Sequence, residues 1–540
     1  MKAPSPKLFA AIAATLVLTG CPSSPTEVRT VHPSCTQCGI SATLHRDGGT
    51  EVWSASNDTD APMAMPVSIA GMRGQAVSLV FFNDSGKAQP MPPIRLESAP
   101  TAPSPAARRR VGAAPDDGLS QADRIRAFNH DGWARQLERM RAARAATPPV
   151  AENRSGAAVA PATVGDTRGW YHDDEETPRQ TTLVRQGTLR DGVMVNIWIE
   201  DGENDQERVT DDALDTMLNA YRMTGGIYEF LYDIGGPMWG PTKESELIPG
   251  TGQPINVVLL NLGDDLGGYF LAANAFVNQP DTETARSNAA VAVFINTTPM
   301  YATNPGGLGT QLLTLAHESV HMQNFYRRGV TLGADYMFDD WLDEGSAVMV
   351  EDFVSQRLLQ NYNEVRDSRL PQYLSTPHYG CNLLQWPQSR DICDGYAVWG
   401  AWGGYLNRQL GMAFYRNLLN DRTNQSSEAV LDAAIRSVRP DSGMVPEMRR
   451  WSATVGAMIP AAGLPSGYGY PERTDTGYPL PDIDLQTLVD KRKLPTSTAA
   501  PLAGYSMFPV VRRGVVGTFS ETVTVPPRTT LSVVVHGGKV

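Results

Sequence analysis

Two apolar segments near the middle of the chain, INVVLLNL (255–262) and AAVAVFIN (289–296), have the length and composition of buried strands. A long helix is predicted directly after them, in GLGTQLLTLAHESVHMQNFYRRG, and it ends at Gly329. Two further helices are predicted downstream, in FDDWLDEGSAVMVEDFVSQRLLQ and GYAVWGAWGGYLNRQL. Because the strands come first and the helices follow, this order predicts an α+β domain rather than a doubly wound sheet.

The first predicted helix carries two of the chain's eight histidines, in the sequence HESVH. His317 and His321 are four positions apart and share one face of a helix, so both imidazoles can reach the same ion. Glu318 lies beside His317, where its carboxylate can contact a metal-bound water without binding the metal itself. The spacing therefore predicts a zinc site with Glu318 as the general base.

A catalytic zinc ion needs three protein ligands and one open position. No histidine follows shortly after His321, in MQNFYRRGVTLG, so a metzincin arrangement is excluded. The next helix offers Glu344, 23 residues after His321, as the third ligand. Asp343 and Glu351 are candidate acceptors for the remaining N–H groups of the ligand histidines, although a solvated or helix-stabilising role fits both equally well.

HESVH followed by WLDEGSAVMVE resembles the gluzincin branch of the zinc metallopeptidases, and most closely the hyicolysin-type peptidases. The resemblance covers residues 180–460 and is strongest over 312–353. It implies a zincin-like catalytic domain with one Zn²⁺, held by the two histidines and the downstream glutamate. It also implies that polypeptides are hydrolysed by a zinc-activated water, with the glutamate of HESVH as the base.

Two features depart from the wider gluzincin branch. Val348 stands where an aspartate often follows the ligand glutamate by four residues, and the chain has no Gly-x-Met-Glu-Asn sequence. Recognition of a free amino terminus is therefore not predicted, and endopeptidase activity is expected. The resemblance offers Tyr396 as the residue that stabilises the oxyanion, and His378 and Tyr379 are weaker candidates. It also suggests that the strand at 289–296 is an edge to which a substrate could add, and a core strand is the alternative that periodicity cannot separate from it.

The N-terminus has the features of a bacterial lipoprotein signal peptide. Lys2 and Lys7 form a short basic region before an apolar segment of eleven residues, LFAAIAATLVL, which is too short to span a bilayer. LTGC follows and resembles the lipobox, in which cleavage leaves Cys21 to carry a lipid; an ordinary cleaved signal peptide is the alternative. The residue after Cys21 is Pro22, whereas an aspartate at this position would resemble an inner-membrane retention signal. An exported protein anchored to the outer membrane or the cell surface is therefore expected.

Lipidation of Cys21 would leave four of the five cysteines for disulfides, which allows three pairings. We expect the local pairs, Cys35 with Cys38 and Cys381 with Cys393. The sequence CTQC could instead be a redox or metal-binding dithiol. No second CxxC sequence and no βαβ pattern accompany it, so a structural disulfide is favoured.

Composition divides the chain into segments. Short alternating stretches such as AVSLVFFN predict a β-rich domain, and a Pro/Ala-rich linker ends it. One amphipathic helix is expected within the linker. A solvated basic helix is the favoured interpretation, and the alternatives are a docking helix or part of an inhibitory prosegment that could be cut at Arg108–Arg110. The predicted segments are a signal peptide (1–20), a tether (21–34), the β-rich domain (35–98), the linker (99–168) with its helix (120–146), the zincin-like domain (175–465) and a C-terminal region with a small β-unit (466–540).

Other functions were weighed against the peptidase. The net charge of −12 provides no basic surplus for a nucleic-acid partner. The acidic segment EDGENDQE (200–207) could hold a structural Ca²⁺, but it lacks the spaced aspartates of a calcium loop. A surface binding or adhesion lipoprotein, built on an inactive zincin-like scaffold, is the alternative from another class. All four residues of the predicted site are present, and this completeness favours the peptidase.

Overall fold

The structure is a computed structural model. It describes residues 31–46, 49–97, 120–146, 161–173, 175–263, 266–278, 284–304, 306–376, 378–387, 393–475, 477–498 and 501–540. The predicted signal peptide and Cys21, the predicted site of lipidation, lie outside these residues, as do most of the tether and both Pro/Ala-rich ends of the linker.

The strands lie at both ends of the chain and in its middle. Their bounds are β1 Cys35–Thr36, β2 Ile40–Leu44, β3 Glu51–Asn57, β4 Met63–Asn83, β5 Thr167–Trp170, β6 Arg179–Thr188, β7 Met194–Glu200, β8 Ile255–Leu260, β9 Gly268–Phe270, β10 Val291–Asn296, β11 Arg473–Asp475, β12 Tyr478–Leu480, β13 Met507–Val525 and β14 Thr529–His536.

The helices fall mainly in the second half of the chain. Their bounds are α1 Gln121–Ala127, α2 Trp133–Ala146, α3 Asp211–Arg222, α4 Ile227–Gly235, α5 Gly307–Asn324, α6 Asp340–Leu358, α7 Leu370–Ser375, α8 Gly395–Asn420, α9 Ser427–Val438 and α10 Met444–Ala457. Short 3₁₀ and π-helical turns join several of them, and α8 is kinked at Gly411, where φ is +73°.

The catalytic region is a mixed sheet covered by helices, so the predicted α+β class is confirmed. The strand order is β5-β6-β7-β8-β10-β9. Strands β7, β8 and β10 are parallel, because α3 and α4 carry the chain from β7 back to the start of β8. Strand β9 pairs antiparallel with β10 and forms the edge of the sheet. The strand at 289–296 is therefore internal, which corrects the expectation that it is the edge.

The two β-rich regions predicted at the ends of the chain share one sheet. Strand β13 pairs with β4 along nearly its whole length, and β14 lies between β3 and β4. The N-terminal β-rich domain and the C-terminal β-unit were predicted as separate, and this prediction is corrected because their strands form one sheet. Alternating hydrophobicity marks each strand, but it carries no information on which distant strand is its partner.

The linker helix comprises α1, the π-helical turn Phe128–Gly132 and α2, and it is continuous over residues 121–146. The side chain of Ser120 caps its first turn by accepting a hydrogen bond from the Asp123 N–H. Trp133, Leu137 and Met140 are buried against the catalytic region. The helix is therefore docked, which was one of the alternatives, and the favoured expectation of a solvated basic helix is corrected.

Both expected disulfides are present, Cys35–Cys38 and Cys381–Cys393. Among the residues that the structure describes, none of the helices combines the length and apolar character needed to cross a bilayer.

Candidate active site

Helices α5 and α6 pack side by side and carry the residues of the candidate site. His317, Glu318 and His321 lie on α5, and Glu344 lies on α6. The residue after Glu344 is a glycine because helix α8 comes very close there: a Cβ atom at Gly345 would lie 2.4 Å from the ring of Trp399. A larger side chain would push the two helices apart and displace Glu344 from the histidines.

The two histidines and Glu344 direct their ligand atoms to one point. Nε2 of His317 lies 3.1 Å from Oε2 of Glu344, and Nε2 of His321 lies 3.8 Å from the same oxygen. Ligands at about 2.0–2.1 Å from a tetrahedral zinc ion are separated by roughly 3.3 Å, so the cluster has the dimensions of a zinc site. Among the described residues, His317, His321 and Glu344 form a group that could hold a metal ion, because one ligand atom from each lies within 4.8 Å of the other two.

The other nitrogen of each histidine is held by a carboxylate. Nδ1 of His317 lies 2.7 Å from Oε1 of Glu351, and Nδ1 of His321 lies 2.7 Å from Oδ2 of Asp343. A carboxylate that accepts the Nδ1 proton fixes the tautomer and leaves Nε2 free for a metal. Asp343 and Glu351 thus lie where the sequence analysis placed them as candidates. Arg369, which sequence reasoning missed, in turn donates to Glu351 at 2.8 Å.

The pKa values of the cluster reflect the carboxylates around the histidines. Burial alone would lower the pKa of His317, but hydrogen bonds to Glu344 and Glu351 raise it well above the usual value. Burial likewise opposes the charge on His321, yet Asp343 raises the pKa of His321 to about 9. Burial would raise the pKa of Glu344, but the histidines lower it to about 2. A zinc ion would therefore have to displace protons from both rings.

Glu318 lies at the boundary between α5 and the edge strand. Its Oε2 accepts a hydrogen bond from the Phe270 N–H of β9 at 2.9 Å, and only 8% of the residue is exposed. Burial raises the pKa of Glu318, and the two positively charged histidines oppose that shift. A carboxylate with a raised pKa, held beside the predicted zinc position, is suited to accept and return a proton.

A cavity of about 550 Å³ opens above these residues. Tyr396 lines it, with its ring centre 5.8 Å from that of His317. His378 and Tyr379 do not line it: both are buried next to Tyr373, away from the cluster. These two weaker candidates are therefore not brought to the site, because the 3₁₀ turn that carries them faces the interior.

The acidic segment at 200–207 does not gather ligands for calcium among the described residues. The carboxylate of Glu203 is buried and accepts hydrogen bonds from Arg208, Thr297 and Tyr301. These donors satisfy its oxygens, so Glu203 has a structural role that ties the loop after β7 to the loop after β10.

The fold and the site define a class: an α+β zinc metallopeptidase in which two histidines from one helix and a glutamate from the next surround the metal position. A family model described as Peptidase M30 matches residues 175–536. The chain belongs to the peptidase M30 family. The match continues through β13 and β14, beyond residue 460, where the sequence resemblance was expected to end. A model for a domain of unknown function matches residues 33–96.

Solved structures with some likeness to the chain include an M1 zinc metallopeptidase from Deinococcus radiodurans, at 15% identity and a TM-score of 0.29. The aligned part covers 56% of this chain and 58% of that one. A functionally unknown conserved protein from Bacillus anthracis str. Ames is 14% identical, with 47% and 44% coverage and a TM-score of 0.26. No curated protein matches the chain. Its assignment therefore depends on the family model.

Proposed function

We propose that the protein is a zinc-dependent endopeptidase that is exported and anchored to a membrane by a lipid. The observation that carries the catalytic part is the convergence of His317, His321 and Glu344 on one point, with Glu318 beside it in the same cavity, in a chain of the peptidase M30 family.

The roles of the residues follow from their positions. Bound zinc would act as a Lewis acid and bring the pKa of a coordinated water toward neutrality. Glu318 would take a proton from the attacking water and deliver it to the leaving amine, which its buried and raised-pKa carboxylate favours. Tyr396 would donate from its hydroxyl to the oxyanion that forms from the peptide carbonyl.

The position of the edge strand β9 favours a peptide over a small molecule as the substrate. The strand lies at the rim of the cavity, and a substrate in extended form could pair with its outer side through main-chain hydrogen bonds. Because Phe270 of β9 donates to Glu318, such pairing would place a peptide bond next to the base. Main-chain pairing makes few demands on side chains, as an endopeptidase requires.

Casein digestion tests the catalytic proposal. We expect soluble residues 22–540 to cleave unfolded casein, to stop when a chelator removes zinc, and to recover when zinc is restored. Glu318→Ala should lose about 10²–10⁴-fold in rate, the usual contribution of a general base, while it keeps its zinc.

Glu207→Ala is the matched control, because Glu207 is an exposed glutamate distant from the site in the loop after β7. Cleavage that is insensitive to Glu318→Ala would contradict the assigned base. A parent protein that takes up no zinc would contradict the metal site itself.

The proposed anchor depends on Cys21 and is tested in cells. The basic residues, the apolar segment and LTGC support it. In a bacterial host we expect labelled fatty acid on the parent protein and its recovery with outer-membrane material. Cys21→Ser should abolish the label and release the protein. Release without any label in the parent would instead identify an ordinary signal peptide.

A further inference from the structure

The linker helix lies within the cleft above the candidate metal site. Its first turns separate the cavity of about 550 Å³ from a second one of about 430 Å³. Both cavities have Ala122, Arg126, Leu266 and Tyr396 in their walls. Without the helix, the two would form one continuous groove that passes over the site.

Asn129 of this helix binds the edge strand as a substrate backbone would. Its Nδ2 donates to the Phe270 carbonyl at 2.7 Å, and its Oδ1 accepts from the Ala272 N–H at 2.8 Å. One side-chain amide thus supplies both a donor and an acceptor to main-chain groups at the end of β9, the two kinds of group that a paired substrate strand would supply. The main-chain groups it occupies are those next to Glu318, where an extended substrate would pair.

The charges of the helix complement those of the cleft. Arg126 Nη1 lies 3.5 Å from Oε1 of Glu344, and its side chain is only 18% exposed. Burial raises the pKa of Asp340 in the cavity wall, while the positive charges of His130 and Arg126 oppose that shift. The helix therefore supplies positive charge to a wall that also contains Asp343.

The helix is held in place by apolar contacts on the side away from the groove. The ring of Trp133 packs edge-on against Phe325, with 5.2 Å between ring centres. Gly329 lets it approach this closely, because a Cβ atom there would lie 2.9 Å from the Trp133 ring. The contacts of Asn129 and Arg126 are thus made by a firmly docked element.

We propose that the linker helix is an intramolecular inhibitor that occupies the substrate groove, with Asn129 in place of a substrate peptide unit and Arg126 in place of a basic side chain. This inference rests on the proposed peptidase function, because it takes β9 as the strand that binds substrate. It makes the full chain a partly inhibited enzyme, whose activity increases when residues 121–146 are displaced.

The test weakens the two contacts in the full chain. Asn129→Ala, Arg126→Met and the double variant are made with intact Glu318 and again with Glu318→Ala, all zinc-loaded. In the inactive background, calorimetry measures the binding of a blocked pentaalanine hydroxamate, a probe long enough to reach from the metal along β9. We expect the double variant to bind this probe at least about tenfold more tightly, since two hydrogen bonds and one charge contact no longer oppose it.

In the active background, cleavage of casein should increase by a similar factor. Arg139→Met is the matched control, because Arg139 is an exposed arginine on the same helix outside both cavities, and it should change neither quantity. Thermal unfolding verifies that each variant remains folded.

The hydroxamate measurement decides this inference, and the casein measurement decides the function it rests on. Unchanged or weaker hydroxamate binding in the double variant would make the helix a fixed wall of the groove and overturn the inference. If the double variant binds the hydroxamate more tightly but no variant cleaves casein, the helix occupies the groove as inferred, and the proposed peptide hydrolysis is contradicted.

Discussion

Helix α6 takes part in two buried charged clusters on different faces, and the adjacent residues Glu351 and Asp352 belong to different clusters. Glu351 faces the candidate metal site, where it holds His317. Asp352 faces the interior, where it forms an ion pair of 2.8 Å with Arg408, and both side chains are fully buried. Two carboxylates at adjacent positions thus have different roles: one supports a candidate metal ligand, and the other forms an ion pair in the protein interior.

The charged groups of the interior cluster are fully hydrogen-bonded. Asp352 accepts from Arg408, Asn363 and Asn407, and Arg408 also donates to the Pro481 carbonyl. In the site cluster, by contrast, two imidazole nitrogens and a carboxylate oxygen meet at one point below an open cavity. Burial of charge alone therefore does not identify a functional site. Convergence of ligand atoms next to a cavity does.

The largest effect on stability is expected at the interior cluster. Asp352→Asn leaves the guanidinium of Arg408 buried without a counter-charge and should lower the free energy of unfolding by about 3–5 kcal/mol. Chemical denaturation measures this, and the folded fraction should still bind zinc with parental affinity. A variant as stable as the parent protein would show that the ion pair is not needed for folding.

At the site cluster we expect a smaller effect, and we expect it on zinc affinity rather than on the free energy of unfolding. Asp343→Ala removes the acceptor for Nδ1 of His321 and should weaken zinc binding about 10–100-fold, while it destabilises the zinc-free protein less than Asp352→Asn does. Competition with a zinc-selective dye gives the affinity. Loss of stability comparable to that of Asp352→Asn would mean that Asp343 is structural, and the contrast between the clusters would disappear.

The smallest effect concerns a histidine in the shared β-sheet. Nε2 of His536 donates to the Ala457 carbonyl at 2.7 Å while Nδ1 accepts from the Gly538 N–H, so the ring is neutral. Burial lowers the pKa of His536, the reverse of the net shift at His317 and His321. Since the unfolded chain binds the proton first, this residue's contribution to stability is present above about pH 6.5 and is lost as the pH falls through its lower folded pKa.

Denaturation at pH 7.5 and 5 measures the contribution of His536. The parent protein should lose about 1 kcal/mol more on acidification than His536→Gln, in which the side chain does not titrate. An equal loss in both proteins would assign the acid sensitivity to other groups.

The predicted elements of the catalytic region agree with the structure to within a few residues, because hydrophobic periodicity is local. The segment at 255–262 became β8, the segment at 289–296 became β10, and the helix predicted over 307–329 became α5 with a π-helical continuation. Residues 211–234 form two helices, α3 and α4, because Gly225 adopts φ +71° between them.

Groups that act through main-chain atoms or distant contacts could not be predicted in this way. The Phe270 N–H contacts Glu318 only because β9 folds back antiparallel on β10. Arg369 reaches Glu351 from another helical segment, and no spacing rule connects the two. His378 and Tyr379 had suitable chemistry, but the backbone of their turn faces the interior.

The sequence by itself determined which side chains can bind the metal. Two histidines one turn apart share a helix face whatever surrounds the helix, and the glutamate of a second apolar helix is the ligand that completes the set. The tertiary structure decided which carboxylates support these ligands, which strand forms the edge of the sheet, and that the linker helix fills the groove. Those outcomes depend on packing between segments far apart in the chain, and local periodicity contains no record of such packing.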